Sequence, residues 1–477
     1  MQSQRDQLQA YRFVVGRLVS GLVHGEPDAP STPMRRSATG VFAGVMLTML
    51  AVAGAAVFGL VSPSAGASKL TASNTILVEQ GTGIRYLYEG GELDPLLNYS
   101  SALLALGSAT PALTTVSRAA VDGVPHGPAI GIPGAPDSLP SATAPTTGPW
   151  SVCSAEVAAS AGPAEPVVTV EIGSDRAVAA LPDSRALLVG APDGSVYLAW
   201  HDQRFLLPAA ARAALGYDST QPLPVGDAWL DALPSGPVLS ARTVPGLGRP
   251  GPAVDGRRTA VGQVFTVTDP TATASDFVML ADGLSPLTPV DEALLVGSPA
   301  TQAAYGREPV APIRISTAAL AAAPHSAASS MTLAYPPTVP RAVGATGAGG
   351  AVPCFTATPG PAAGPAMAVG LESAPDALQA QLPAGGTAAA HLLGTADHVR
   401  VPASGGLLAQ AGPGGAEYLV TDTGAKYPLA AGTTAKMLGY GATAPVQLPS
   451  TLLKLLPTGP VLDPDAPGLA AAQPPSN

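Results

Sequence analysis

The fold is decided by a segment that occurs twice in the chain. Residues 195–239 are SVYLAWHDQRFLLPAAARAALGYDSTQPLPVGDAWLDALPSGPVL, and residues 416–462 are AEYLVTDTGAKYPLAAGTTAKMLGYGATAPVQLPSTLLKLLPTGPVL. Each copy has an apolar strand, a polar turn, a second short strand, an Ala-rich stretch ending in Leu-Gly-Tyr, and a closing Leu-Pro-Ser/Thr-Gly-Pro-Val-Leu. An Ala-rich stretch with Gly at its end is typical of a short helix. The repeat therefore predicts a small α/β unit made of a β-hairpin, a helix and a Pro-closed turn.

Two weaker copies keep the spacing of this unit. In both clear copies, the Leu of Leu-Gly-Tyr and the Leu that opens the closing segment are equally far apart, as in Leu215 and Leu233. The same spacing separates Leu106 from Val124, and it separates Tyr305 from Ala323. A proline follows directly after Val124 and after Ala323, as it does after Leu233. The sequence thus predicts four repeats, of which the first and the third are degenerate.

Strand-like runs between the repeats predict a central β-sheet core. Such runs precede both halves of the chain, and Cys153 and Cys354 each come ahead of one set. The expected fold is α+β, in the order repeat, core, repeat, repeat, core, repeat, with a pseudo-two-fold relation between the halves. The predicted boundaries are 1–36 (cytoplasmic helix and linker), 37–62 (transmembrane helix), 70–132 (repeat 1), 133–191 (core with a Pro-rich linker), 192–240 (repeat 2), 241–275 (core), 276–330 (repeat 3), 331–415 (core), 416–463 (repeat 4) and 464–477 (flexible tail).

Composition excludes two broad classes. Of the 477 residues, 46% are hydrophobic and only 12% are charged, and Gly (54) and Pro (52) are abundant. Disordered chains are poor in apolar residues and rich in charge, so this chain is expected to fold. The net charge of −10 argues against a nucleic-acid binder, which needs a basic patch or stripe.

An apolar segment near the N-terminus predicts a membrane anchor. Residues 38–61 carry no charge, and about 20 such residues cross the roughly 30 Å hydrocarbon layer. The alternatives are a buried core helix and a cleaved signal peptide, whose apolar core is only about 7–15 residues long. Arg35 and Arg36 directly precede the segment, and the first cation after it is Lys69. The positive-inside rule therefore predicts a cytoplasmic N-terminus, with the bulk of the chain beyond residue 62 outside the plasma membrane, in the periplasm.

The first 24 residues predict an amphipathic helix. Leu8, Tyr11, Val15, Leu18 and Leu22 recur at steps of three and four residues, which places them on one helix face. Such a face can lie on the membrane surface or dock a cytoplasmic partner, and composition alone leaves both alternatives open.

The chain has only two cysteines, Cys153 and Cys354, and both lie in the predicted exported part. An even pair in an oxidising compartment is most simply one disulfide. The alternatives are two unpaired buried thiols or a metal site, although two cysteines without suitably spaced histidines make a poor zinc site.

No motif predicts a catalytic residue, a cofactor or a metal. A P-loop needs a Gly-Lys dipeptide, and the chain contains none. Residues 246–251 match G-x-G-x-x-G, but Pro250 and Pro252 prevent a helix from opening there, so the helix N-terminus that binds the pyrophosphate is not expected.

The whole layout resembles EccB, the single-pass membrane component of the actinobacterial type VII (ESX) secretion machinery. The resemblance rests on residues 9–13 (QAYRF), 33–36 (PMRR) and 149–153 (PWSVC), together with the paired cysteines and the four repeats. It implies an elongated exported domain with a central β-sheet core and four flanking repeat domains. It also implies an inner-membrane complex with an EccC-type motor ATPase, EccD, EccE and a mycosin protease, and it favours docking of the N-terminal helix on partner subunits.

Three functions follow as hypotheses. The prediction is a structural subunit of a type VII secretion complex that forms homo-oligomers within it and has no catalytic activity of its own. The first alternative is an ATPase subunit, because the family carries that label although a P-loop is absent here. The second is a cell-wall binding anchor, because stacked repeats commonly offer a ligand surface.

Overall fold

The computed structural model describes residues 4–25, 33–61, 70–157, 164–173, 178–269, 273–327, 335–360, 366–372, 394–466 and 468–469. The chain divides into two compact units, residues 1–93 with 112–127 and residues 94–111 with 128–477. The described ranges contain runs of short strands together with helices, so the predicted α+β class is confirmed.

The first compact unit begins with two helices. Helix α1 spans Gln4–His24 and α2 spans Pro33–Val61. Pro33 suits the first turn of α2, because the first N–H groups of a helix have no acceptor within the helix and proline has no backbone N–H group.

A small sheet and its connections follow these helices. They are β1 (Thr75–Glu79), β2 (Arg85–Glu89), β3 (Glu92–Pro95), α3 (Tyr99–Leu106), β4 (Ala112–Val116) and α4 (Arg118–Asp122), of which α3 belongs to the second compact unit. The buried side chains of Leu77, Tyr86, Leu93 and Val116 form the core of this sheet.

The second compact unit holds the remaining elements. Its first half contains β5 (Trp150–Val157), β6 (Glu165–Ile172), β7 (Ala179–Ala180), β8 (Arg185–Gly190), β9 (Val196–Trp200), β10 (Gln203–Leu206), α5 (Ala209–Ala214), β11 (Leu223–Pro224), α6 (Asp227–Ala232), β12 (Pro250–Val254), β13 (Arg257–Ala260), β14 (Val264–Thr268), β15 (Ala274–Met279) and β16 (Leu284–Leu287). It continues with α7 (Pro289–Val296), the 3-10 turn Pro299–Thr301, α8 (Gln302–Tyr305), β17 (Ile313–Arg314), α9 (Thr317–Ala322), β18 (Arg341–Val343), β19 (Val352–Thr358), β20 (Ala366–Glu372), β21 (His398–Arg400), β22 (Leu407–Ala411), β23 (Glu417–Val420), β24 (Lys426–Pro428), α10 (Gly432–Met437), β25 (Val446–Leu448) and α11 (Ser450–Lys454).

Four of the sheets share one strand order. The orders are β3-β2-β1-β4, β10-β9-β8-β11, β16-β15-β14-β17 and β24-β23-β22-β25. In each sheet, the strand that comes first along the chain (β1, β8, β14 or β22) pairs antiparallel with the second strand in chain order and parallel with the fourth. We call these sheets with their helices module 1 (75–126), module 2 (185–235), module 3 (264–325) and module 4 (407–458), each ending where a β-bridge closes it onto its third strand.

The structure places three strands differently from the sequence boundaries. The predicted repeats begin at residues 192, 276 and 416, which leaves β8, β14 and β22 in the predicted core. All three instead pair within the sheets of modules 2, 3 and 4. Their apolar runs are mostly buried, and a short buried run carries no periodicity that would assign it to one sheet rather than to the next.

A six-stranded sheet of order β21-β6-β5-β19-β20-β7 forms the centre of the second compact unit. β5 and β19 pair antiparallel at its middle, with Cys153 opposite Cys354. Fully buried Trp150, Val152 and Phe355 project from these strands into a core shared with α6 and α11.

The Pro-rich linker and part of the predicted flexible tail are packed against other residues. In the Pro-rich stretch before β5, the Tyr440 hydroxyl donates to the Pro140 carbonyl (2.6 Å) and the Thr146 N–H donates to the Gly406 carbonyl (2.9 Å). In the predicted tail, Leu469 is fully buried, so the flexible assignment is wrong at this residue, while residues 470–477 lie outside the described ones. Few charges and many prolines signal irregular backbone, but they do not show whether other residues cover it.

Candidate functional site

The N-terminal helix presents apolar side chains to solvent. All five predicted face residues (Leu8, Tyr11, Val15, Leu18 and Leu22) are exposed. Phe13 and Val14 are exposed as well, at 64% and 54%, and the Arg17 guanidinium lies over the Phe13 ring at 5.8 Å from its centroid.

The apolar surface of α1 is therefore wider than the predicted face. A search restricted to steps of three and four residues missed Val14, which borders the selected face, and Phe13, which lies on the opposite side of the helix. Contiguous apolar surface of this kind marks contact with a protein or a membrane.

Helix α2 is long and apolar enough to cross a bilayer. Its segment Ser37–Gly54 has a mean hydropathy of 1.7, and it is the one such segment in the part of the chain that the structure describes. Arg35 and Arg36 lie in the first turn of α2, and their side chains are outside the described residues.

A disulfide joins Cys153 of β5 to Cys354 of β19 across the central sheet. Both residues are buried, and 201 positions separate them along the chain. The Glu372 Oε2 atom lies 3.2 Å from the Cys153 sulfur and 3.7 Å from the Cys354 sulfur. These three residues are the one group of potential metal ligands among the described residues, but a metal needs thiolates, and both sulfurs are bonded to each other.

The glycine-rich segment 246–251 forms a turn that leads into a strand. Gly246 and Gly248 both have φ of +79°, and β12 begins directly afterwards at Pro250. A dinucleotide fingerprint places its phosphate at the N-terminus of a following helix. A strand and not a helix follows this segment, so it matches the motif in sequence but lacks the helix N-terminus that would bind the phosphate.

A cavity of about 630 Å³ lies between modules 2 and 4, beside the packed helices α6 and α11. Its lining includes Arg204 and Asp231 from module 2 and Lys426, Thr451 and Lys454 from module 4. The sequence argument did not identify this site, because its charged residues are far apart in the chain.

The repeat alignment could have found one charged pair of this cavity, because Asp231 and Lys454 each lie three residues before the proline of the closing Pro-Ser/Thr-Gly motif. Arg204 and Lys426 correspond in the structure, because each forms a β-bridge with the second residue of that motif, Ser235 or Thr458. In module 2 the pair forms an ion pair, with Nη2 of Arg204 2.9 Å from Oδ1 of Asp231. In module 4 both members are lysines.

Comparison with protein families gives a match over nearly the whole chain. The family model described as "Type VII secretion system ESX-1, transport TM domain B" (EccB) matches residues 1–474.

Curated relatives match part of the chain. It is 31% identical over 300 residues to "ESX-3 secretion system ATPase EccB3" of Mycolicibacterium smegmatis, covering 61% of this chain and 56% of that protein. It is 32% identical over 309 residues to the EccB3 protein of Mycobacterium tuberculosis, with the same coverage. The chain thus spans less than two thirds of the length of the curated relatives it matches.

Solved structures have the same fold. The EccB3 dimer from the ESX-3 core complex superposes with a TM-score of 0.65 at 27% identity, covering 82% of this chain and 98% of that one. A chain of an intact ESX-5 inner membrane complex gives a TM-score of 0.64 at 24% identity, covering 100% of this chain and 96% of that one, and at this identity the likeness shows the fold alone.

Proposed function

This chain belongs to the EccB family of type VII secretion systems, and we propose that it is a structural subunit of an ESX-type secretion complex in the inner membrane. The observation that carries the proposal is the combination of one candidate span with two kinds of surface built for contact rather than for chemistry. One is the apolar exposed face of α1, and the other is a domain of packed β-modules around a disulfide-linked sheet. The solved EccB3 structure to which this chain is similar is a dimer from the ESX-3 core complex.

The proposed topology has a cytoplasmic N-terminus and an exported C-terminal bulk. Two independent features support it. Arg35 and Arg36 at the start of α2 favour a cytoplasmic location for that end. The disulfide of Cys153 with Cys354 favours an oxidising compartment for residues beyond the span.

We also propose that the exported domain is a pseudo-two-fold arrangement of the four modules. Tyr217 and Tyr440, the tyrosines of the two Leu-Gly-Tyr motifs, support it because each donates a 2.6 Å hydrogen bond to a proline carbonyl. The acceptors are Pro340 for Tyr217 and Pro140 for Tyr440, and both lie in the segment that leads toward a cysteine strand. The central pairing of Cys153 with Cys354 lies between these halves.

The α1 face is proposed to dock on a cytoplasmic partner of the complex, for which the EccC-type ATPase, EccD and EccE are the candidates. The mycosin protease is a further proposed partner. Support comes from the exposure of Tyr11, Leu18 and Leu22, which a surface helix in water would not carry without a covering partner or lipid. A homo-oligomer through the exported domain completes the proposal.

Affinity purification from mildly solubilised membranes tests the proposed function. The tagged chain is expected in a large assembly with an FtsK-type ATPase and a many-span membrane protein. Leu18→Asp should release the cytoplasmic partners while leaving the chain in the membrane. Arg5→Asp, on the same helix but outside the predicted face, is the matched control. Recovery of the wild type alone, or only with cell-wall fragments, would contradict the proposal and favour the wall-binding function.

The second candidate function, an ATPase, is favoured by the names of the curated relatives, which call them ATPases. The turn at residues 246–251 offers no phosphate-binding helix to support it. Phosphate release by the purified chain, undiminished after rigorous removal of any EccC-type ATPase, would be required to establish it.

A further inference from the structure

The cavity between modules 2 and 4 carries a net positive charge. Arg204 and Asp231 neutralise each other as an ion pair, which leaves Lys426 and Lys454. Across the described ranges, no carboxylate lies within ion-pair distance of either lysine. The lining thus has an excess of two positive charges.

Lys426 is held in place at the inner side of this lining. Its side chain is only 8% exposed, and Nζ donates to the Leu456 carbonyl at 2.6 Å. An ammonium group has three donors, so two remain for another acceptor. Burial lowers the pKa of Lys426 to about 8, and the group is therefore still mostly protonated at pH 7.

Two further polar atoms of the lining are buried without a hydrogen-bond partner among the described residues. They are the Thr451 hydroxyl and Nε of Arg204. A buried polar atom without a partner is unfavourable, and most such atoms in native proteins bind protein, water or a ligand. Both atoms can donate to an oxygen.

We propose that this cavity binds the dianionic phosphate group of a small phosphomonoester, with Lys426 and Lys454 supplying the charge and Thr451 and Arg204 supplying further donors. At pH 7 a phosphomonoester carries between about −1.5 and −2 charges, which matches the excess of two positive charges. A cavity of about 630 Å³ is larger than a bare phosphate and falls in the range of small-molecule sites, so an organic body occupies the remainder.

Isothermal titration calorimetry on the full chain in detergent tests the site. The probes are glucose 6-phosphate and inorganic phosphate, each titrated at constant ionic strength, with glucose as the uncharged control. Glucose 6-phosphate is expected to bind and glucose is not. Tighter binding of the ester than of inorganic phosphate identifies an organic body as part of the ligand, whereas equal affinities identify the phosphate group alone.

Three variants connect binding to the cavity. Lys426→Met should weaken binding roughly tenfold or more, because it removes a buried charge-assisted donor. Lys454→Gln, at an exposed residue of the lining, should weaken it roughly three- to fivefold. Lys436→Gln is the matched control, since this lysine is exposed on α10 of the same module outside the lining, and it should leave the affinity unchanged.

If neither phosphate probe binds at about 10 mM, the proposal is overturned, because binding with a millimolar Kd would be detected at that concentration. Binding that Lys454→Gln leaves unchanged, or that Lys436→Gln weakens equally, would overturn it too, because the phosphate would then lie elsewhere or be attracted by charge alone.

Discussion

Removal of the disulfide is expected to destabilise the central sheet strongly. The bond links residues 201 positions apart, and the chain-entropy model gives about 5 kcal/mol for closing a loop of this length in the unfolded chain. In the double variant Cys153→Ala/Cys354→Ala, loss of two buried sulfurs adds about 1–2 kcal/mol through lost packing.

Urea denaturation followed by tryptophan fluorescence measures this effect. Trp150 and Trp229 are both fully buried in the core of the central sheet, so their emission reports on its unfolding. Trp200 is less buried and is replaced by phenylalanine in every sample of this comparison. The double variant should have a lower midpoint and a steeper denaturant dependence, because its unfolded chain is less compact.

The wild type reduced with a phosphine separates the two contributions. It loses the cross-link but keeps both sulfurs, so it should fall between the oxidised wild type and the double variant. A total loss of stability below about 1 kcal/mol would refute the reasoning, since the chain-entropy model assigns most of the effect to the unfolded state.

Three further predictions concern other contacts of the second compact unit. Trp229→Ala should lower the free energy of unfolding by about 3–5 kcal/mol in urea denaturation, because the ring is fully buried edge-on to Phe355 and its Nε1–H donates to the Val152 carbonyl. Trp200→Ala, which removes a partly exposed ring, should lower it clearly less, and equal losses would contradict the assignment of Trp229 to the core. Tyr217→Phe and Tyr440→Phe should each cost about 1–3 kcal/mol in thermal unfolding because each leaves a proline carbonyl without its donor, and markedly unequal losses would count against a pseudo-two-fold relation. The pKa of Lys426 is about 8 in the folded chain against 10.5 in the unfolded one, so the unfolded chain holds more protons between these two pH values. The free energy of unfolding should therefore rise across that pH window by up to about 3 kcal/mol. Thermal unfolding from about pH 7.5 to 10.5 should show this rise in the wild type and not in Lys426→Met, and the same slope in both would contradict burial of the charge.

Local sequence patterns predicted the unit of this fold better than its boundaries. The hairpin, the helix after it and the closing turn of modules 2 and 4 follow from the Leu-Gly-Tyr and Pro-Ser/Thr-Gly segments, because each of these features depends on neighbouring residues. The first strand of the sheets in modules 2, 3 and 4 did not follow. β8 pairs in parallel with β11, which comes only after the hairpin and α5 along the chain, and a parallel partner leaves no turn signal in the sequence.

The same limit applies to the candidate sites. The disulfide was predicted because compartment and cysteine number are readable from composition, whereas the proximity of Glu372 to its sulfurs depends on strand register in the central sheet. The α1 face was predicted from periodicity alone. The cavity depends on the contact of α6 with α11, which no local pattern encodes.

The asymmetry between modules 2 and 4 is the strongest physical argument that the cavity has acquired a use. If these positions served only to stabilise the fold, an ion pair would be sufficient, as in module 2, where Arg204 and Asp231 neutralise each other. In module 4 the equivalent positions hold Lys426 and Lys454, which repel each other, and Lys426 is buried as well. Burying a cation without a counter-charge is unfavourable, and stability alone would favour an apolar or paired residue at this position. An anion that binds the folded chain would offset this cost by mass action, so the free energy of unfolding should increase with the concentration of glucose 6-phosphate in the wild type, and Lys426→Met should need roughly tenfold more ligand for the same increase.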